Sequence, residues 1–130
     1  MMYKVSFENG FITEVEADDM RAVELEMYDK YGVDAIGMSI TGDPKNFCFA
    51  ISRKSWEQVL TEYFPNFTLE DVLNHLKVIA YAWLHFDTVK YYDWRDGEKC
   101  EVTSLCDEGL DYIHNNDALS VEMDRIDFRW

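Results

Sequence analysis

Three residues near the C-terminus have the types of a nucleophile, an orienting acid and a base. Cys106, Asp111 and His114 lie within nine residues of one another, and a thiol activated by histidine is a common catalytic nucleophile. Catalytic Cys and His residues usually come from distant chain segments, and no local signature surrounds this cysteine. The pattern favours an ordinary helix with a half-buried thiol, and a small enzyme using Cys106 remains an alternative.

The other histidines do not form a shared site. His75 and His85 lie ten residues apart in one helical pattern, which is a rotation of about 280° around the helix axis. One small site cannot easily use both, and His85 is predicted to pack beside Val78 and Tyr81. Carboxylates are so numerous that a pair at glycosidase spacing is uninformative, and an unrecognised carboxylate site stays open as another enzyme alternative.

Motifs for cofactors, metals and hydrolysis are missing from the sequence. The segment from Asp93 to Glu98 superficially resembles a calcium loop, but the first and last ligand positions would be Tyr92 and Thr103. GxGxxG, GxxxxGK[ST], HExxH, GxSxG and CxxC do not occur. We therefore predict no cofactor, no metal and no catalytic residue. The three cysteines have no close-paired spacing, which predicts reduced thiols.

Net charge is the most unusual property of the chain. Its 26 acidic and 12 basic residues give −14, beyond the magnitude of roughly 2–8 usual for a small domain. Residues 1–43 and 93–130 carry −7 each, and residues 44–92 are neutral. Such a charge disfavours nucleic acid and anionic membranes as direct partners. It suits a basic protein partner.

Regular rows of carboxylates can imitate the phosphates of a nucleic acid. In an extended strand, Glu14, Glu16 and Asp18 would project from one face at intervals of about 6.6 Å. Asp96 with Glu98 and Glu122 with Asp124 could form similar rows, and an interface anchor is expected where large aromatics stand beside acids. The predicted partner-binding residues are Glu14, Glu16, Asp18, Tyr92, Asp93, Trp94, Asp96, Glu98, Glu101, Asp107, Glu108 and Asp111. Solubility alone is the competing explanation for the acids, and a core strand would also explain the aromatics.

The first half of the chain predicts two hairpins, each followed by a helix. Alternating apolar residues from Tyr3 flank Asn9-Gly10, which predicts a type I′ turn and a second strand over 11–16. Asp18 or Asp19 should cap a helix that ends at Gly32. Alternation then predicts strands at Ile36, Met38 and Ile40 and at Phe47, Phe49 and Ile51. A capping box at Ser55 and Gln58 should open the next helix, which stops near Phe64.

The second half predicts a long central helix near residues 69–87, capped by Thr68 and Asp71. Its end beyond Val78 is apolar on every side, which predicts an enclosed segment. Extended segments over 89–95 and 98–104 around Asp96-Gly97 come next, then a short helix near 105–114. A final strand has Val121 and Met123 inward and a bulge before Ile126, Phe128 and Trp130.

These patterns predict a single α+β domain over residues 1–130, with an antiparallel sheet of hairpins packed on two or three helices. No window is long and apolar enough to span a membrane and no leader pattern is present, so we expect a cytoplasmic protein. The predicted function is an acidic, non-catalytic inhibitor of a basic nucleic-acid-binding protein such as a nuclease or defence effector. Phage anti-CRISPR or anti-restriction proteins and toxin-immunity proteins are of this kind. A small enzyme and a structural or assembly protein are the alternatives.

Overall fold

The structure, a computed structural model, describes residues 1–42, 47–48 and 51–126. It is α+β, as predicted, with antiparallel hairpins and, within the described ranges, five α-helices. The elements in chain order are β1 (Met2–Ser6), β2 (Ile12–Glu16), α1 (Met20–Tyr31), β3 (Ser39–Thr41), β4 (Phe47–Cys48), α2 (Arg53–Tyr63), α3 (Leu69–His85), β5 (Thr88–Arg95), β6 (Glu98–Leu105), α4 (Asp107–Asn116) and α5 (Ala118–Arg125).

The first hairpin is present, but its turn differs from the predicted one. The Phe7 N–H donates to the Phe11 carbonyl at 2.8 Å, and the Gly10 N–H donates to the Phe7 carbonyl at 3.1 Å. Gly10 has a φ of 93° whereas Asn9 keeps a negative φ. The loop therefore has three residues, because the Asn9 carboxamide accepts the Phe11 N–H instead of the backbone adopting a type I′ turn.

The hairpins join in a four-stranded sheet of order β2-β1-β3-β4. β3 is shorter than predicted, because Ile36 follows a 3₁₀ turn over Gly32–Ala35. Ile36, Met38 and Ile40 are nevertheless all buried. The returning strand is present as β4, but the predicted strand position Ile51 lies in no strand. The predicted position Phe49 lies outside the described residues.

Local side chains set where the first three helices begin. Asp19 rather than Asp18 caps α1, accepting the Arg21 N–H at 2.7 Å. The predicted cap of α2 is wrong by three residues: the Ser52 hydroxyl accepts the Ser55 N–H, so Ser55 lies inside the helix. The capping box of α3 is confirmed, since Thr68 and Asp71 bond to each other's backbone N–H.

Helix α3 is central to the apolar core, as predicted. Its residues contact the cluster between the sheet and α1, the cluster around α2 and Leu119, and the cluster with β6 and α4. Its last turns are not enclosed on every side, however, because Tyr81 and His85 are exposed. The helix ends at His85, two residues earlier than predicted.

The predicted final strand is wrong, because this segment forms α5. The Asp117 carboxylate caps the helix by accepting the Ser120 N–H at 3.2 Å. Leu119 and Met123, four residues apart, both pack into the cluster around α2, and Val121 points outward. The predicted bulge therefore does not form before Ile126, and Phe128 and Trp130 lie outside the described residues.

Candidate functional site

The three residues of thiol-nucleophile type do not meet. Cys106 is the N-cap residue of α4 and makes no side-chain capping bond. His114 lies eight residues later, about 12 Å along the helix axis. Its Nε2 atom lies 2.9 Å from Asp124 Oδ2 on α5, and both side chains are exposed. The histidine is therefore paired with a different acid, far from the thiol.

A contact between His75 and the buried Asp117 joins α3 to the start of α5. The His75 Nδ1 atom lies 2.5 Å from Asp117 Oδ2, and Asp117 is 1% exposed. The Ser120 hydroxyl lies 3.4 Å from the same Nδ1 atom. In a catalytic triad the acid and the hydroxyl contact opposite ring nitrogens. This cluster therefore links α3 to α5 and does not activate the serine.

His85 lies on the surface beside an aromatic group. Its ring centroid is 4.3 Å from that of Tyr81, which in turn stacks on Tyr112 at 5.0 Å. The predicted packing role is correct in its contact with Tyr81 but not in burial. Stacking of this kind contributes modestly to stability at an exposed position.

The predicted carboxylate row on β2 is shorter than expected. Glu14 and Glu16 share the exposed face of this edge strand, but the strand ends at Glu16 and Asp18 lies beyond it. Lys4 on β1 is directly opposite Glu14 in the register. Charged residues on an edge strand also prevent pairing with other chains, which is a structural reason for both glutamates.

The β5–β6 ribbon is the most distinctive surface of the described chain. It forms a separate two-stranded sheet, and every residue of β5 is exposed. Trp94 is 71% exposed and Tyr92 is 64% exposed on one face, and Tyr91 is exposed on the other. The turn is the predicted one: Asp96 and Gly97 have φ values of 52° and 80°, as a two-residue type I′ turn requires. Strand β5 is therefore not a core strand, and the part of the ribbon that enters the core is Leu105 at the end of β6.

Charges along the ribbon are largely compensated. It holds four acidic and three basic residues, a net charge of −1. Lys90 Nζ lies 3.4 Å from Glu101 Oε1, and Arg95 Nε lies 4.0 Å from Asp93 Oδ2. Lys99 lies over the Tyr92 ring at 4.4 Å from its centroid. The contact of Lys99 with the Tyr92 ring was not anticipated, although the register that pairs residues 90–95 with 98–103 follows from the turn.

The other predicted rows of acids do not form. Asp96 is in the turn and Glu98 pairs in register with Arg95, so the two carboxylates do not continue one strand face. Glu122 and Asp124 lie on α5, where residues two apart point about 200° away from each other. Glu122 binds Arg125, and Asp124 binds His114.

Three predicted acids lie at the start of α4. Asp107 and Glu108 occupy its first turn and Asp111 the next, all exposed, with Leu110 exposed between them. Acids in a first turn stabilise a helix through its macrodipole. Because only Cys106 separates β6 from α4, these acids lie at the base of the ribbon, whereas Glu14 and Glu16 belong to the other sheet.

Comparison with known proteins identified no relative. No protein-family model, no curated protein and no solved structure matches the chain. The described residues contain no cluster of three or more side chains suited to hold a metal ion. Over the same residues, no helix has the length and apolar character needed to cross a membrane. The exposed ribbon with the acidic start of α4 is the candidate binding surface.

Proposed function

We propose that this protein is an acidic, non-catalytic binding protein that docks through the β5–β6 ribbon onto a basic nucleic-acid-processing protein and blocks its nucleic-acid channel. The observation that carries the proposal is the exposure of Trp94 and Tyr92 on a ribbon that no other strand covers within the described chain. A nuclease or another defence effector is the proposed class of target.

Exposed aromatics of this size favour a docking role. A two-stranded ribbon is at best marginally stable in water, and large exposed aromatics add nothing to its solubility. Trp and Tyr are the residues that most often dominate binding energy at protein interfaces. At the distal end, the carboxylates of Asp93 and Glu98 lie on the face opposite Trp94, and Asp96 lies in the adjoining turn. This end combines an apolar anchor with negative charge.

The overall charge supplies the attraction to a basic target. A net charge of −14 steers the protein towards a channel lined by Lys and Arg and raises the association rate. Asp107, Glu108 and Asp111 would contact the rim of such a channel once the ribbon has entered it. Carboxylates there would replace the phosphates that the channel normally binds. In this proposal the aromatics determine residence time and the acids determine association.

The experiment measures inhibition of purified nucleases at low and high salt. A non-specific nuclease, a restriction endonuclease and an RNA-guided nuclease each cleave a labelled duplex in the presence of the protein. We expect inhibition of at least one, relieved by salt and by excess unlabelled DNA. Trp94→Ala should shorten the lifetime of that complex roughly 30-fold or more with little change in salt dependence.

Two charge-reversal variants separate a specific surface from bulk charge. Asp93, Glu98 and Glu101 are changed to Lys in one; Asp96 is kept because its positive φ suits Asp better than Lys. Glu26, Glu57 and Glu62, exposed on α1 and α2, are changed to Lys in the control. The first variant should lose inhibition and the control should keep it. Equal inhibition by both variants, or full cleavage by every nuclease at low salt, would contradict the proposal.

A further inference from the structure

The outer edge of β5 carries backbone groups that its partner strand does not use. In an antiparallel pair, residues alternate between those that bond to the neighbouring strand and those whose N–H and C=O point away. The two-residue turn makes Arg95 and Glu98 a bonded pair, and the Cys106 N–H donates to the Asp87 carbonyl at 2.9 Å. The bonding at both ends of the ribbon therefore shows that the N–H and C=O groups of the even-numbered β5 residues point away from β6.

One of these outward donors already has a partner. The Trp94 N–H donates to Asp93 Oδ1 at 2.9 Å, which closes the edge near the tip. Thr88, Lys90 and Tyr92 remain with outward N–H groups, and no other strand in the described part of the chain pairs with them. An exposed edge of this kind is a template for a further strand.

We propose that two copies of this chain dimerise by antiparallel pairing of their β5 edges about a two-fold axis at Tyr91. The resulting sheet has four strands, in the order β6-β5-β5-β6. This inference concerns the edge of the ribbon and does not depend on the proposed inhibitor function.

Charge and donor availability select this register. A two-fold axis perpendicular to the sheet leaves the same face of both ribbons on the same side of the new sheet. The β5 residues whose N–H and C=O groups point outward therefore pair with the outward-pointing β5 residues of the second copy. Centring the axis on Lys90 would place two ammonium groups opposite each other, which is destabilising. Centring it on Tyr92 would pair Lys90 with the partner's Trp94, whose N–H is occupied.

Centring the axis on Tyr91 keeps the two Lys90 ammonium groups apart and leaves the occupied Trp94 N–H to the outermost pair, opposite Thr88. Lys90 then pairs with the partner's Tyr92, and Tyr92 with the partner's Lys90, which gives four backbone hydrogen bonds from groups that are free in the single copy. Two Tyr91 side chains face each other across the axis as a close aromatic pair.

The ribbon carries little net charge, so two copies can meet there despite the charge of the whole chain. Its net charge is −1 in a chain of −14. In this register Thr88 lies opposite the partner's Trp94. The Thr88 ends of the two β5 strands, where each ribbon joins the rest of its chain, are therefore about 20 Å apart. That separation exceeds the Debye length of about 8 Å at physiological salt, so the acidic bodies are largely screened from each other.

The edge of β6 fits a second copy less well. A register centred on Glu101 opposes two carboxylates, and one centred on Cys100 pairs Lys99 with Glu101. Glu101 already binds Lys90, and Lys99 already lies on the Tyr92 ring. Pairing through β6 would compete with these contacts.

The test is the oligomeric state of the purified chain by analytical ultracentrifugation over a concentration series at physiological salt. Tyr92→Pro and Tyr92→Ala both remove the ring, but only proline also removes the outward N–H, and proline is tolerated at such edge positions. We expect a wild-type dimer, which Tyr92→Pro weakens about 10- to 100-fold more than Tyr92→Ala through the loss of two hydrogen bonds. Glu101→Pro, at an outward position of β6, should leave the dimer intact.

Amide hydrogen exchange of the wild-type chain provides a second measurement, which holds even if a proline variant disrupts the ribbon. The Lys90 and Tyr92 amides should gain protection as concentration rises, and the Glu101 amide should not. A chain that is monomeric at every concentration would overturn the proposal. So would equal dimerisation by the two Tyr92 variants, a dimer lost only in Glu101→Pro, or concentration-independent exchange at Lys90 and Tyr92.

Discussion

Replacing Leu119 and Val121 by alanine distinguishes helix α5 from the strand that the sequence pattern suggests. Leu119 is 1% exposed in the cluster around α2, whereas Val121 is 40% exposed on the opposite side of the helix. Leu119→Ala removes three carbon atoms, worth about 0.8 kcal/mol each in transfer free energy. The cavity left behind raises the expected loss of unfolding free energy to roughly 2–5 kcal/mol.

Val121→Ala is the matched variant and should have little effect. The side chain loses two carbons that are already partly in water, and alanine has the higher helix propensity by about 0.5 kcal/mol. These two effects oppose each other, so the unfolding free energy should change by less than about 0.5 kcal/mol. If this segment were a strand with Val121 inward, Val121→Ala would lower the unfolding free energy more than Leu119→Ala.

The measurement is urea unfolding followed by far-UV circular dichroism, with both variants and the wild type under the same conditions. An unchanged slope with denaturant would show that the variants differ in stability and not in the surface exposed on unfolding. If Val121→Ala proves the more destabilising of the two, helix α5 and the argument from its buried face are refuted.

Further outcomes follow from the helix junction and the ribbon turn. Asp117→Ala removes the cap of α5 and the partner of His75 together, so unfolding free energy should fall by roughly 2–4 kcal/mol, whereas Asp117→Asn should retain the cap and cost less. In a double-mutant cycle with His75→Ala, denaturation should give a coupling energy of at least about 0.5 kcal/mol, and additive effects would show that the pair contributes nothing. Gly97→Ala should destabilise the ribbon by roughly 1–2 kcal/mol because of the positive φ; unchanged amide exchange of β5 and β6 would contradict this.

Several elements could be predicted because their cause lies within a few residues. One example is the capping box of α3, which depends on the side chains of Thr68 and Asp71. Another is the turn at Asp96-Gly97, which depends on the φ preferences of these two residues. Asn9-Gly10 has the same signature, yet its turn differs because the Asn9 side chain bonds to the Phe11 backbone. Even local signals therefore have competing local solutions.

The binding role of the candidate residues stays a prediction, but their geometry is now described. Alternation in the sequence places Tyr92 and Trp94 on one face of a strand and cannot say whether that face is buried. The tertiary structure decides this, because the helices of the described chain pack against the β6 end at Leu105 and leave every residue of β5 exposed. It also places Lys99 over the Tyr92 ring and pairs Lys90 with Glu101, contacts that the linear sequence does not specify.

The C-terminal segment shows most clearly what the sequence alone determined and what it left open. Apolar residues at 119, 121, 123 and 126 match a strand with a bulge, and 119 and 123 alone match one face of a helix. The choice depends on Asp117, whose carboxylate is buried against His75 from a helix 42 residues earlier and caps α5 there. Composition and short-range pattern determined the α+β class, the hairpins, most of the helices and the acidity. Only packing between distant segments decided the last helix and the exposed ribbon, because burial is a property of the whole fold.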